Sequence, residues 1–271
     1  MRAYIHSDGI RGFYASYTCI LVLFKHLIDD LNYLPENIYI SDDLFELYGP
    51  IKTWFNYNNV LNECPDDARK FNATYTYDHE IIKLKPWIPE NEMDRFKYIN
   101  LFPYNERVRK LVDTKLLNTK NCIGIHYRGT DGYIHIDKIP VHFYVEHAIK
   151  EMDRLNTNSI FLCTDEEGVI EEFHTQLPDA NIIYHDTIKS DTDEGVHYLD
   201  FSREQKIQLA DEVILDSFAL SNCRSLICRT SNVITNARIL NPNLTDIIYL
   251  EKILKMGVRW MGKYCWDTYT C

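Results

Sequence analysis

The sequence predicts an α/β fold of two halves, the C-terminal one a doubly wound parallel sheet. Three observations carry this. In the C-terminal half, short apolar runs alternate with stretches of helical spacing at βαβ intervals. The first third has a looser version of the same alternation. Between them the pattern weakens and then resumes with a helix, so the halves are expected to meet near residues 105–120, as domains 1–112 and 113–271.

Taken in order, Ala3-Tyr4-Ile5-His6 is a candidate strand, followed by the glycine-containing loop Ser7 to Gly12 and a helical stretch over residues 13–31. Asn37-Ile38-Tyr39-Ile40 is a second strand. Residues 48–104 are rich in Asn, Tyr and Pro and are expected to hold loops and short elements; a helix resumes over residues 106–117. The second half then reads as strand (Cys122-Ile123-Gly124-Ile125-His126-Tyr127), helix (141–155), strand (Ser159 to Cys163) and helix (166–177). It continues as strand (181–184), long helix (203–222), buried strand (Ser225 to Cys228), helix (231–240) and last strand (246–249). A ligand of such a fold lies in a crevice outside the carboxyl ends of the strands.

Composition narrows the function. The 271 residues carry a formal net charge of −11, which opposes nucleic-acid binding but leaves room for a small diphosphate ligand. Eight cysteines occur without a C-x-x-C, and Cys122, Cys163 and Cys228 sit in apolar runs, which favours a reduced intracellular protein; a Cys265–Cys271 pair is the possible exception. No apolar stretch is long enough to span a bilayer and no signal peptide is visible, so a soluble, cytoplasmic protein is expected. The sequons at Asn72 and Asn243 are then chance, and each of the 19 tyrosines is first of all a packing residue.

The strand ends hold the candidate chemistry. After the first strand of the second half comes His126-Tyr127-Arg128-Gly129-Thr130-Asp131. Arg128 offers a planar fork of donors matched to phosphate, and Gly129 lets backbone approach a ligand; an Arg–Asp surface pair in a turn is the plain alternative. Thr164-Asp165-Glu166 reads as a helix N-cap with acids in the first turn. Arg229-Thr230-Ser231-Asn232 opens directly into a helix, where hydroxyls and backbone N–H groups form an anion site, or simply cap the helix at Ser231. Asp216 ends the apolar run Val213-Ile214-Leu215, and a semi-buried acid there needs a partner: a guanine edge, the backbone or an Arg.

Together these segments resemble the superfamily of α1,6-fucosyltransferases, protein O-fucosyltransferases and nodulation fucosyltransferases. The likeness lies in His126-x-Arg128-x-Thr130-Asp131, in Phe161-Leu162-Cys163-Thr164-Asp165, and in Val213 to Asp216 followed by Leu226 to Asn232, over roughly residues 120–240. It implies a GT-B-like fold of two Rossmann-type halves facing a cleft, the N-terminal half on the acceptor side. It also implies inverting transfer of L-fucose from GDP-fucose to a glycan or protein hydroxyl, without a required metal or other cofactor. Arg128 would bind the β-phosphate and stabilise the leaving GDP. His126 and Asp216 would contact the nucleoside, and Thr230, Ser231 and, in the same cluster, Asn232 the phosphates. The chain departs from the family at Gly129, where a second Arg is frequent, at Asn232, where a Ser is usual, and in the acid after the first motif. That acid falls near His135-Ile136-Asp137, so Asp137, then His135, are the candidate bases for the acceptor hydroxyl.

Rival readings remain open at this level. UDP-xylose or another nucleotide sugar fits the same clamp, and a non-catalytic carbohydrate-binding protein fits the same fold. Asp191-Thr192-Asp193 matches a metal-binding D-x-D but sits in an acidic loop, and His142 and His147, five apart, do not share a helix face, so a divalent metal is not expected.

Overall fold

A computed structural model of the chain describes residues 2–7, 12–73, 98–130, 137–192, 194–256, 258–260 and 263–265. Two compact units emerge: Met1–Lys115 with Phe201–Asp211, and Leu116–Asp200 with Glu212–Cys271.

The first unit is built on four parallel strands, β1 (Arg2–His6), β2 (Ile38–Ser41), β3 (Val60–Leu61) and β4 (Ala68–Asn72), in the order β3-β2-β1-β4. Helix α1 (Phe13–Lys25) is apolar nearly all round and accordingly buried along almost its whole length. It ends in a π-helical turn, His26–Asp30. Helix α2 (Glu106–Lys115) closes the N-terminal part of this unit. The aromatic residues explain themselves here. Phe13 packs edge-on against Tyr48 and Trp54, and Tyr17 stacks on Phe55, Phe102 and Tyr104, so these rings are core. Asp211 accepts from Trp54 Nε1 at 3.1 Å and pairs with Arg107, which ties residues 201–211 to this unit.

The second unit holds five parallel strands: β5 (Ile123–Tyr127), β6 (Ser159–Thr164), β7 (Asn181–Ile183), β8 (Ser225–Cys228) and β9 (Ile247–Tyr249). Their order, β7-β6-β5-β8-β9, reverses direction between β5 and β8. In folds of this kind ligands bind beyond the carboxyl ends of the strands at such a reversal. Helices α3 (Val141–Leu155) and α4 (Val169–Gln176) cover one face, where Ile123, Ile125 and Tyr127 pack with Tyr144, Ala148 and Phe173. The opposite face carries Gly124. A Cβ there would meet Leu220 of helix α5 (Arg203–Ser221) at 3.1 Å and Leu226 of β8 at 2.5 Å, so the glycine is what lets α5 close onto the sheet. Helix α6 (Asn232–Leu240), the short helix α7 (Leu250–Ile253) and a hairpin of β10 (Val258–Trp260) and β11 (Lys263–Cys265) complete the unit. The hairpin had no counterpart in the sequence pattern.

Helix placement agrees with the periodicity except at 166–177, where the helix starts only at Val169 because Gly168 takes a left-handed φ of 79°. Cys122, Cys163 and Cys228 are buried thiols without a disulfide, as their apolar settings predict, and Cys223 is another. Cys271 lies outside the described residues. Among the described residues no helix is long and apolar enough to cross a membrane.

Candidate functional site

The β5 end and the β6 end are tied together by one carboxylate. Asp165 accepts the Gly129 N–H at 2.9 Å and the Thr130 hydroxyl at 2.8 Å, with Arg128 Nη1 3.9 Å away. Burial works against the charge of Asp165, but Arg128 and these two donors outweigh it and hold its pKa below the ordinary carboxylate value. Asp165 therefore does not cap α4, as its sequence context predicts. It shapes the Arg128-Gly129-Thr130 segment instead. Glu166, also expected to serve the helix start, lies over Gly129 and accepts from Lys138 Nζ at 2.6 Å.

His126 is buried, and its Nδ1 has no hydrogen-bond partner among the described residues. Burial, then the charge of Arg128, push its pKa down to about 3, so the ring is neutral at physiological pH. On the other side of the switch point, Arg229 follows β8 and is 2% exposed. Burial first, and the charge of Arg128, lower its pKa, while Tyr144, Glu251 and Asp165 support its charge. Two guanidiniums thus stand at adjacent strand ends, within electrostatic reach of each other.

The start of α6 is occupied in a way the sequence did not disclose. Thr230 donates both its N–H (2.9 Å) and its hydroxyl to Glu251, a 3% exposed residue of α7. Ser231 caps α6 by accepting from the Ile234 N–H at 3.2 Å, and Asn232 buries an Oδ1 that has no hydrogen-bond partner among the described residues. Asp216 lies within α5, one helical turn before Leu220, and accepts from His185 Nδ1 at 2.7 Å and from Cys163 Sγ at 3.3 Å.

Of the predicted residues, Arg128, with Asp165 as its neighbour, and His126 come together at the β5 end. Thr230, Ser231 and Asn232 follow the adjacent β8. Asp216 stands over the sheet face that carries Cys163. Asp137 is exposed, next to Lys138, while His135 and Asp131 lie outside the described residues. Asp191 is exposed, and its partner in the D-x-D pattern, Asp193, is also outside them. Sequence reasoning passed over His185 and Glu251; it read Asp165 as a helix cap and named Arg229 only at the entry to a helix. Arg229 carried a usable signal, an Arg at the end of an apolar strand; the others become visible only through their partners.

Similarity to solved structures decides the fold. NodZ α1,6-fucosyltransferase soaked with GDP-fucose superposes with a TM-score of 0.55 at 14% identity, covering 89% of this chain and 94% of that one. NodZ co-crystallised with GDP gives 0.55 and 14% over 88% and 92%, and fucosyltransferase NodZ from Bradyrhizobium gives 0.54 and 11% over 88% and 93%. The chain has the NodZ fold. Its two parallel-sheet units are the Rossmann-type halves of a GT-B-like α/β protein, as the motifs imply. No protein-family model and no curated protein matches the sequence. The Arg128 segment follows the central strand of the second unit, at its switch point.

Proposed function

We propose that this chain is an inverting glycosyltransferase that moves L-fucose from GDP-fucose to a glycan or protein hydroxyl. The observation that supports this best is Arg128. It stands at the switch point on a segment fixed by Asp165, beside a neutral buried His126 and a helix start capped by Ser231. A guanidinium held in place before the reaction stabilises the charge that develops on a departing diphosphate.

In this reading Arg128 binds the β-phosphate and the leaving GDP. Thr230, Ser231 and Asn232 line the phosphate side, with the positive end of α6 adding to the field. His126 and Asp216 form the nucleoside side. The acceptor oxygen attacks the anomeric carbon opposite the phosphate and loses its proton to Asp137, or to His135. The bond from carbon to phosphate oxygen breaks, and configuration inverts. The chemistry as written needs no metal ion, and residues 1–112 supply the acceptor side.

Release of GDP from GDP-fucose, with and without acceptor glycans, tests the reading, with UDP-xylose as a parallel donor. GDP release from GDP-fucose supports it. Turnover of UDP-xylose alone reassigns the donor. Nucleotide binding with no turnover against a broad acceptor set points to a binding protein on the same fold.

A further inference from the structure

The parallel register sets His126 opposite Cys163, so both side chains leave the sheet on the face covered by α5. Asp216 reaches down from α5 and is engaged there by two protein donors, the Cys163 thiol on Oδ2 and His185 Nδ1 on Oδ1. His185 follows β7, and its ring stands edge-on to Phe161, with centroids 5.5 Å apart at 74°. The side chains of His185 and Asp216 are each only 10% exposed. Yet among the described residues His185 Nε2 has no hydrogen-bond partner, and neither has His126 Nδ1. Two buried imidazole nitrogens without partners, in a cluster otherwise satisfied, are unusual. Such atoms are normally paired, and leaving one unpaired costs stability.

An ionised carboxylate can only accept, so Asp216 fixes the proton of His185 on Nδ1. In the neutral ring Nε2 then carries a lone pair. It is suited to an N–H donor, of the kind found on the edge of guanine (N1–H and N2–H) or of uracil (N3–H).

Resting on the nucleotide-sugar reading above, we propose that His185 is a specificity-determining residue that accepts an N–H from the donor's nucleobase, with Asp216 as the positioning residue that orients its ring. Asp216 thereby acts on the base through His185, which differs from direct contact between its carboxylate and guanine.

Titration calorimetry with GDP, UDP and ADP on the intact chain and on His185→Ala and His185→Gln tests this. ADP serves as the control that lacks a ring N–H at the corresponding edge. The alanine variant should bind the preferred nucleotide roughly tenfold more weakly, the effect of losing one hydrogen bond to a buried group. ADP binding should hardly change, and Gln, whose side-chain oxygen can accept, should recover part of the loss. In ¹⁵N-imidazole spectra of the unaltered protein, the Nε2 resonance of His185 should move on saturation with that nucleotide. This second readout does not depend on a variant that folds. Equal affinity in the alanine variant, an equal loss for all three nucleotides, or an unmoved Nε2 resonance each overturns the proposal while leaving the nucleotide-sugar reading intact. Absence of any nucleoside diphosphate binding by the unaltered protein overturns both.

Discussion

Glu166 lies directly over Gly129: a Cβ on residue 129 would stand 1.6 Å from Glu166 Oε2 and 2.7 Å from its Cδ. Gly129→Ala must therefore lever the Glu166 carboxylate out of its pairing with Lys138. That pair is partly exposed and contributes little by itself. The expected coupling is about 1 kcal/mol, read from a double-mutant cycle with Glu166→Ala. In the Glu166→Ala background the cost of Gly129→Ala should fall to what it takes to shift the Tyr127 ring, which the new Cβ still meets at 2.9 Å. Additive effects would mean the two residues are not in contact. The same geometry gives a physical reason for glycine, and no larger residue, at this position of the motif.

Asp165→Asn should cost about 1–3 kcal/mol, since an amide cannot accept from both Gly129 and Thr130 as the carboxylate does while facing Arg128. Its pKa is lower in the fold than the reference 3.8, so the native state sheds this proton at lower pH than the unfolded chain. The stabilisation is complete above 3.8 and disappears as pH falls through the folded value. Urea unfolding of both proteins should thus show the full gap at neutral pH and a gap that closes as pH falls below 3.8 through the folded value. A gap unchanged into acid would contradict the assignment.

His126 has the same sense as Asp165, over a window that starts at higher pH. Its folded pKa of about 3 lies below the reference 6.5, so between these values the unfolded chain binds about one more proton. Stability should rise with pH across this window, by up to ~1.4 kcal/mol per pH unit, and level off above it. His126→Asn should flatten that rise, as measured by unfolding free energies at several pH values. Parallel profiles for the two proteins would show that the ring titrates normally in the fold.

Arg128→Ala should lower the transfer rate by ~10²–10³-fold, the effect of removing one preorganised donor to developing charge. Arg128→Lys should recover little, because an ammonium lacks the planar fork. Unchanged kinetics in the alanine variant would remove Arg128 from the leaving-group site.

Thr230→Val deletes a hydroxyl given to the buried Glu251 carboxylate, which keeps the Thr230 N–H but has an Oε2 without a hydrogen-bond partner among the described residues. A stability loss of about 1–3 kcal/mol is expected in thermal or urea unfolding. If stability is unaltered and only GDP affinity falls, the hydroxyl serves the ligand and its bond to Glu251 is dispensable.

Much of the second unit could be read from residues alone. The helix over Val141–Leu155 matches its apolar spacing, and the strands around Ile123, Phe161 and Leu226 match their apolar runs, because both periods are local properties. The first unit was less legible. Its strands at Val60–Leu61 and Ala68–Asn72 are short or polar, and only pairing with β2 and β1 defines them. The Thr164-Asp165-Glu166 segment misled for a related reason. Acids after a strand match a helix N-terminus, and nothing local announces that Gly168 delays the helix and turns the carboxylates toward Gly129.

By itself, then, the sequence determined the alternation of strands and helices and the strand-end position of Arg128, since hydrophobic period and strand length act over a few residues. Only the tertiary structure decided which polar groups meet. Asp165 and Gly129 are 36 positions apart, and His185 and Asp216 are 31 apart. The parallel sheet order and the helix laid across it bring them within hydrogen-bond distance. Arg128, which the sequence places at a strand end, owes its setting to a carboxylate whose own sequence context points to a helix cap.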